Sequence, residues 1–527
     1  TPRTVQTPYG LSSDEATVLY PHSKHQSQVK SDDGCLIPFD RQCGELPYAP
    51  RTLDNHMNTL KQSLGLIGLG VMGQNLALNF ASHGFSVCGF DLDPGKRAQF
   101  TQRTQGLQAQ CAEDLTTLVA NLQVPRRVML MVPAGHAVDE VLQQLRPLLS
   151  KGDVIIDGGN SLHSDTARRL SALQGNGILY VGTGVSGGEE GALRGPALMP
   201  GGATEAWPLV APMLQAIAAQ ADDGQPCCDW MGGGGSGHFV KMVHNGIEYA
   251  DMQMIGEAYW LMSQLLGLTP QHMSDIFRQW NQGELSSYLI GITADILATQ
   301  DPESDAALVD MILDTAEQKG TGKWTSQVAL DLGVAAPTIA DAVFARTISA
   351  VKNERVAASR VLFGPKPQFA GSIENWLPKI HNALVAAKIC AYAQGFALLR
   401  AADDEYRWNL SHERIAKVWR AGCIIRAKML DEMRRAFEKD SQLSNLLVDG
   451  QFSQWMNDTQ QNLREVVAQA ALHGVPAPAF MSALSYYDAY RSARLPANLL
   501  QAQRDYFGAH TYQRIDREGK FHTRWSS

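Results

Sequence analysis

From Ser63 onward, short apolar runs alternate with longer stretches in which apolar residues recur every three or four positions. The runs are LGLIG, FSVCGFD, RVMLMVP, DVIIDGG and ILYVGTG, and QNLALNFASH between the first two has helical spacing. Strands separated by helices of this length predict a parallel sheet covered by helices on both faces. Four glycines, Gly232 to Gly235, interrupt the pattern, and strand signals nearly vanish after them. Long helical stretches are predicted at 238–267, 305–317, 337–362, 377–402, 411–437 and 460–473. The chain therefore reads as α/β plus all-α, with an α/β domain at 63–234 and a large all-helical domain at 235–492. Residues 493–527 have little periodicity but many aromatics and histidines, which predicts a tail packed on a surface. Residues 1–62 show neither period and read as a mobile extension. They lack the apolar core of a signal peptide and the Arg-rich, acid-poor character of a transit peptide.

Gly68, Gly70 and Gly73 form a GxGxxG between the first predicted strand and the first predicted helix, the setting this pattern requires. The first glycine permits a tight turn, the second lets backbone approach a pyrophosphate, and the third lets helix pack on strand. The helix N-terminus favours the anion. With Leu69, Val71 and Met72 filling the loop, 63–234 is expected to be a Rossmann-like coenzyme-binding domain. Asp91 ends the second predicted strand, where an acid hydrogen-bonds an adenosine ribose 2′-hydroxyl and repels a 2′-phosphate. Asp93 adds a second negative charge, which Lys96 and Arg97 offset in part. A local reading stands beside this one, in which the two acids end the strand and cap the next helix. On charge, the site favours NAD over NADP.

The segment GHFVKMVHNGIEY places Lys241, His244, Asn245 and Glu248 at i, i+3, i+4 and i+7, on one face of a helix, with Tyr249 at its border. Phe239, Val240, Val243 and Ile247 form the opposite, apolar face. A solvated face with an ordinary Glu–Lys pair would give the same pattern. Two features point to chemistry instead. Lys241 follows a glycine-rich loop in the first turns of its helix, where dipole and burial lower its pKa toward that of a general base. An apolar cleft would keep Glu248 protonated as the partner acid. Beside a nicotinamide, such a pair suits oxidation of a secondary alcohol followed by protonation of a carbanion.

Composition narrows the partners. At 527 residues the chain is too long for one core. Lys plus Arg number 45 against 53 Asp plus Glu, a net charge of −8, so no basic excess is available for a nucleic acid. No uncharged apolar run approaches the roughly 18 residues that span a bilayer, so no membrane partner is expected. The eight cysteines (Cys35, Cys43, Cys88, Cys111, Cys227, Cys228, Cys390 and Cys423) form no CxxC pair and have no histidines at zinc-finger spacing. Free thiols in a reducing, cytoplasmic setting and no metal site are expected, with import into an organelle left open.

GLIGLGVMGQNL (65–76), DGGNS (157–161), GTGVSGGEEGA (182–192), LMPGG (198–202), GHFVKMVHNGIEY (237–249), KGTGKWT (319–325), FAR (344–346) and QAQRDYFGAHTY (501–512) together resemble the 6-phosphogluconate dehydrogenase family. These are decarboxylating members of the β-hydroxyacid dehydrogenase superfamily, and the likeness spans nearly all of the chain after the extension. It implies metal-independent oxidation of 6-phosphogluconate in the oxidative pentose phosphate pathway, by a homodimer whose C-terminal tail reaches into the partner subunit. It implies Lys241 as base and then acid at the C3 oxygen, and Glu248 as the proton donor to C1. Implied substrate contacts are Asn160, Ser186, Gly187, Gly188, His244, Asn245 and Tyr249. Tyr249, Lys319 and Arg346 would meet the phosphate, joined by Arg504 and His510 of the other subunit's tail. Asn160 would also touch the nicotinamide. The sequence departs from the family where NADP-using members carry Asn-Arg-Thr, having Asp91-Leu92-Asp93 instead. It departs again at Val132-Pro133-Ala134, where Val-Lys-Ala is usual. The cofactor is thus NADP by resemblance and NAD by these residues. The alternative functions are a dehydrogenase of a smaller acid such as 3-hydroxyisobutyrate, whose group lacks the tail motif, and a non-catalytic nucleotide-binding scaffold.

Overall fold

The computed structural model describes residues 61–318, 320–366 and 371–525. Lys319 and nearly all of the 1–62 extension lie outside the described residues.

The five apolar runs form strands β1 (Leu64–Ile67), β2 (Val87–Phe90), β4 (Arg127–Leu130), β5 (Val154–Asp157) and β6 (Leu179–Ser186). Two further strands, β3 (Ala109–Cys111) and β7 (Ala197–Gly202), complete a seven-stranded sheet in the order β3-β2-β1-β4-β5-β6-β7. β3 is three residues long and shows no period. β7 carries a proline and two glycines, residues that an edge strand tolerates and a central strand does not. The expected parallel sheet needs one correction, since β7 pairs antiparallel to β6. The interior strands β1, β4 and β5 are almost wholly apolar, as burial on both faces demands.

Beyond Gly235 the described residues are helical, built around two long helices, Ser236–Leu266 and Ile373–Tyr406. Both are buried along most of their length in one continuous apolar core. Ile373–Tyr406 is long and apolar enough to cross a bilayer, but 89% of its most apolar stretch is buried among other helices, so it is a core helix. Three expected helices are broken. Only Leu308–Met311 of 305–317 is helical, because the chain turns extended at Ile312 and Asp314 is claimed by Lys352 and Arg355. The 411–437 stretch splits into His412–Val418 and Met429–Lys439. Between them Gly422 adopts φ +65° and its carbonyl accepts the Ala197 N–H, tying the loop to β7. The 337–362 stretch likewise divides into Pro337–Ala350 and Lys352–Ala358. The tail has more structure than its sequence suggests: a helix at Ala497–Gly508, then a return segment paired at Tyr512 and Phe521.

Candidate active site

β1, β2, β4 and β5 point their C-terminal ends into one cleft of about 580 Å³. Its walls include Gly68, Gly70 and Met72 from the first loop, Asp91 and Leu92 after β2, and Val132, Pro133 and Ala134 after β4. Asn160 and its two preceding glycines close the floor beyond β5. Gly68 has φ +97° and a side chain there would strike the Met131 carbonyl, while one at Gly73 would sit 1.9 Å from the Gly68 carbonyl. Nothing occupies the space above Gly70, at the N-terminus of Val71–Ser82, so a phosphate can approach the unpaired N–H groups of that helix's first turn. These features fit a dinucleotide. Leu69, Val71, Gly73 and Asp93 stand off the cleft wall. Leu69 is buried in the core, Gly73 lies beneath the loop, Val71 faces solvent, and Asp93 caps the helix Pro94–Arg103 through Gly95 N–H.

The local reading therefore holds for Asp93, and Asp91 combines a local bond with the cleft. Its Oδ2 accepts the Leu69 N–H at 2.7 Å and its Oδ1 the Asp93 N–H at 3.0 Å, which fixes the carboxylate on the cleft wall. Lys96 stands 3.8 Å away. Arg97 donates to the carbonyls of Asp91 and Leu92. Leu92, on the cleft wall, is 83% exposed.

The helix Ser236–Leu266 enters the molecule across β6 and β7, closely enough that a methyl group on Gly184 would fall 2.3 Å from Lys241 Cβ. His238 locks this approach, with Nδ1 2.6 Å from the Thr166 hydroxyl and Nε2 3.1 Å from the Asp157 carbonyl. The face that emerges gathers the expected residues. Lys241 Nζ lies 3.5 Å from His244 Nδ1, and His244 Nε2 lies 3.3 Å from Ser186 Oγ at the end of β6. His244 Nδ1 also meets Asn245 Oδ1 at 3.0 Å and Glu248 Oε2 at 3.7 Å. Gly187 and Gly188 turn the chain from Ser186 into the helix Gly188–Arg194. Val185, one residue before Ser186, lines the coenzyme cleft, so the cluster sits at that cleft's inner end.

Lys241 and His244 are buried, and Glu248 is one-fifth exposed. Burial lowers the Lys241 pKa against the opposing pull of Glu248. Burial raises that of Glu248, with Asp251 adding to it and Lys241 and Arg346 opposing. His244 is pushed well below its ordinary value by burial and by the neighbouring lysine, which leaves it a neutral hydrogen-bonding group. The pKa values of a lysine and a glutamate two turns apart on one helix are thereby drawn toward each other. Arg346 stacks on the Tyr249 ring at 3.6 Å and donates to the Glu317 carbonyl, giving this end of the site a cation.

Several supporting residues were not legible as such. Thr321 Oγ1 accepts from Asn245 Nδ2 at 3.1 Å, Thr325 bonds the Met242 carbonyl, and Trp419 packs edge-on to the His244 ring. Asp251 pairs with Lys388 at 3.0 Å, both wholly buried between the two long helices. The threonines lie within KGTGKWT and His238 within GHFVKMVHNGIEY, so those motifs carried a signal; Trp419 and Lys388 carried none. Arg504 and His510 are not brought to the cluster. Both are exposed, and their contacts stay inside the tail, Arg504 with Gln501 and His510 with Phe507.

Comparison with known proteins places this geometry. Residues 63–232 match the family model for the NAD binding domain of 6-phosphogluconate dehydrogenase, and 237–525 match that for the 6-phosphogluconate dehydrogenase C-terminal domain. A relative from Bacillus subtilis (strain 168), an NADP(+)-dependent, decarboxylating 6-phosphogluconate dehydrogenase, is 52% identical over 88% of this chain and 99% of its own. A decarboxylating 6-phosphogluconate dehydrogenase from Escherichia coli (strain K12) is 53% identical with the same coverage. The Plasmodium falciparum 6-phosphogluconate dehydrogenase, solved in apo form, with NADP+ and with 6-phosphogluconate, superposes with TM-score 0.84 at 42% identity. That match covers 88% of this chain and 100% of the other.

Proposed function

The chain belongs to the 6-phosphogluconate dehydrogenase family, and we propose from that premise how its own residues carry the reaction. The reaction is the oxidative decarboxylation of 6-phospho-D-gluconate to D-ribulose 5-phosphate and carbon dioxide, with reduction of a nicotinamide dinucleotide. Likeness over 88% of this chain and 99% of the relatives' length supports it over a dehydrogenase of a smaller 3-hydroxy acid and over a scaffold without activity.

The observation that carries the mechanism is the buried cluster of Lys241, His244, Asn245 and Glu248 at the inner end of the coenzyme cleft. Neutral Lys241 takes the proton from the 3-hydroxyl of the substrate. The bound dinucleotide supplies the oxidant that accepts hydride from C3. Lys241, now an ammonium, holds the C3 carbonyl oxygen and draws electrons toward it as the C1 carboxylate leaves as carbon dioxide. It then returns its proton to that oxygen, giving an enediol. Protonated Glu248 delivers its proton to the former C2, now C1 of ribulose 5-phosphate, while Lys241 takes back the proton of the adjacent hydroxyl so that the ketone forms; passing that proton on to Glu248 restores both groups. The lysine ammonium fills the electrophile's place, so the cycle is read as metal-independent. Ser186, Gly187, Gly188, His244, Asn245 and Asn160 orient the sugar acid, and Tyr249 and Arg346 face its phosphate, with Lys319 assigned to it on the family motif alone.

We further propose a homodimer in which Arg504 and His510 of one tail complete the phosphate site of the other subunit. An apolar cavity of about 1000 Å³ beside that site supports it, with Trp260, Leu313, Phe344 and Ile348 exposed around it, the kind of face a second copy covers. Asp91, the neutral Leu92 and Pro133 tilt coenzyme preference toward NAD relative to the NADP(+)-dependent relatives. The six free thiols among the described cysteines suit a reducing, cytoplasmic location.

Initial rates at 340 nm with 6-phosphogluconate, NADP and NAD side by side, and capture of released carbon dioxide, test the reading. Turnover that Lys241→Met abolishes while dinucleotide binding survives is the expected result. Full turnover in that variant would refute the assigned base.

A further inference from the structure

Asp505 is wholly buried, although every residue around it on the tail helix is exposed or only half-covered. What buries it is the chain that follows. Its Oδ1 accepts the Thr511 N–H at 3.0 Å and meets His522 Nδ1 at 2.9 Å. Its Oδ2 accepts the Thr523 N–H at 3.0 Å and the Trp525 indole N–H at 2.8 Å. Four donors saturate one carboxylate, and all of them come from the last fifteen described residues. Gln501, one turn earlier on the same face, donates to the Thr511 carbonyl at 2.6 Å and accepts from Arg504 at 3.1 Å.

These bonds hold an unfavourable backbone. Ala509 and Thr511 adopt φ of +48° and +62°, a left-handed conformation that costs any residue with a Cβ and is a true outlier for a β-branched threonine. Such conformations persist only where surrounding structure imposes them. Here both backbone groups of Thr511 are fixed, its N–H by Asp505 and its C=O by Gln501. His510 lies between the two strained residues, and Arg504 immediately precedes Asp505.

We propose that Asp505 is a positioning residue for substrate binding: it folds the tail back on itself so that Arg504 and His510 are presented together, as one preformed phosphate clamp, to the second copy. The proposal rests on the tail-exchange reading above. The clamp's geometry is set within one chain, so the ordering cost is met at folding instead of at substrate binding.

The test compares Asp505→Asn, Arg504→Met and His510→Gln in the full-length protein. KM and kcat are measured for 6-phosphogluconate, kcat/KM for unphosphorylated gluconate, and subunit assembly by sedimentation. Asp505→Asn keeps the shape but turns two donors of its own toward donors. It should raise the 6-phosphogluconate KM at least tenfold, with a much smaller change in kcat and none in kcat/KM for gluconate. Thr511→Gly added to it should recover part of the loss, because glycine takes φ +62° unaided. If Arg504→Met and His510→Gln raise KM while Asp505→Asn leaves it within twofold, the positioning role is wrong and tail exchange stands. If none of the three moves KM, the tail-exchange reading itself fails and takes the proposal with it. Should Asp505→Asn not fold, Gln501→Ala releases the other anchor of Thr511 and must raise KM in the same phosphate-specific way; an unchanged KM there overturns the proposal.

Discussion

Gly184→Ala perturbs the site without replacing any group that does chemistry. The new methyl would sit 2.3 Å from Lys241 Cβ and 3.2 Å from the Gly237 carbonyl, against the ~3.5–4.0 Å at which carbon atoms rest. β6 and the helix Ser236–Leu266 must therefore separate by roughly 1.5 Å at the point where the helix carries its lysine. Overpacking of this kind costs about 1–3 kcal/mol of stability. A displacement near 1 Å at a reacting group costs on the order of a hundredfold in rate, or about 2.7 kcal/mol of barrier. The expected result is a hundredfold lower kcat by dinucleotide reduction at 340 nm, a smaller change in coenzyme KM, and a lower urea midpoint. Gly450→Ala serves as the control, since a methyl there meets nothing within 4 Å on an exposed helix start, and kcat should be unchanged. A Gly184→Ala enzyme with kcat within threefold of the parent and an unshifted midpoint would refute the idea that this packing sets the position of Lys241.

Three other outcomes are expected. Glu248→Gln should lower kcat by about two to four orders of magnitude and remove the alkaline limb of the pH profile. Because the carboxylate supports the Lys241 charge, its loss should move the acidic limb to lower pH, and a profile with both limbs in place would exclude Glu248 as the acid. Asp91→Asn with Leu92→Arg keeps an acceptor for the Leu69 N–H while exchanging charge, and should shift the NADP/NAD ratio of kcat/KM toward NADP by tenfold or more, about 1.4 kcal/mol or above. An unchanged ratio would mean the strand-end acid does not read the ribose. Glu257, which bonds the backbone N–H groups of Ala479 and Phe480, is raised to about 7 by burial. The folded state then keeps a proton that the unfolded chain gives up above its ordinary value near 4.5, so stability falls as pH rises between the two, by about 3 kcal/mol at most. Urea midpoints between pH 5 and pH 8 should decline for the parent and stay level for Glu257→Gln; equal slopes would show that Glu257 does not titrate in that range.

Much of the molecule follows from local pattern. The five apolar runs are strands because only burial on both faces tolerates such sequences. GxGxxG became a turn and helix start because the backbone there admits no side chain at Gly68 or Gly73. The shared face of Lys241, His244, Asn245 and Glu248 follows from helical spacing alone, whereas its burial does not. Local pattern left out β7, whose proline and glycines read as loop and become a strand only because the edge of β6 offers pairing. It also left out the breaks at Ile312 and Gly422, where an ion cluster and a bond to Ala197 outweigh helical propensity. Asp93 needed its cap seen before its role was settled, and Asp505 had nothing in its neighbourhood to mark it as buried. Periodicity records which residues must avoid water. The tilt of a base's pKa, the tie between distant loops and the strain held in a tail depend on what each side chain meets across the fold, and only the assembled tertiary structure decides those.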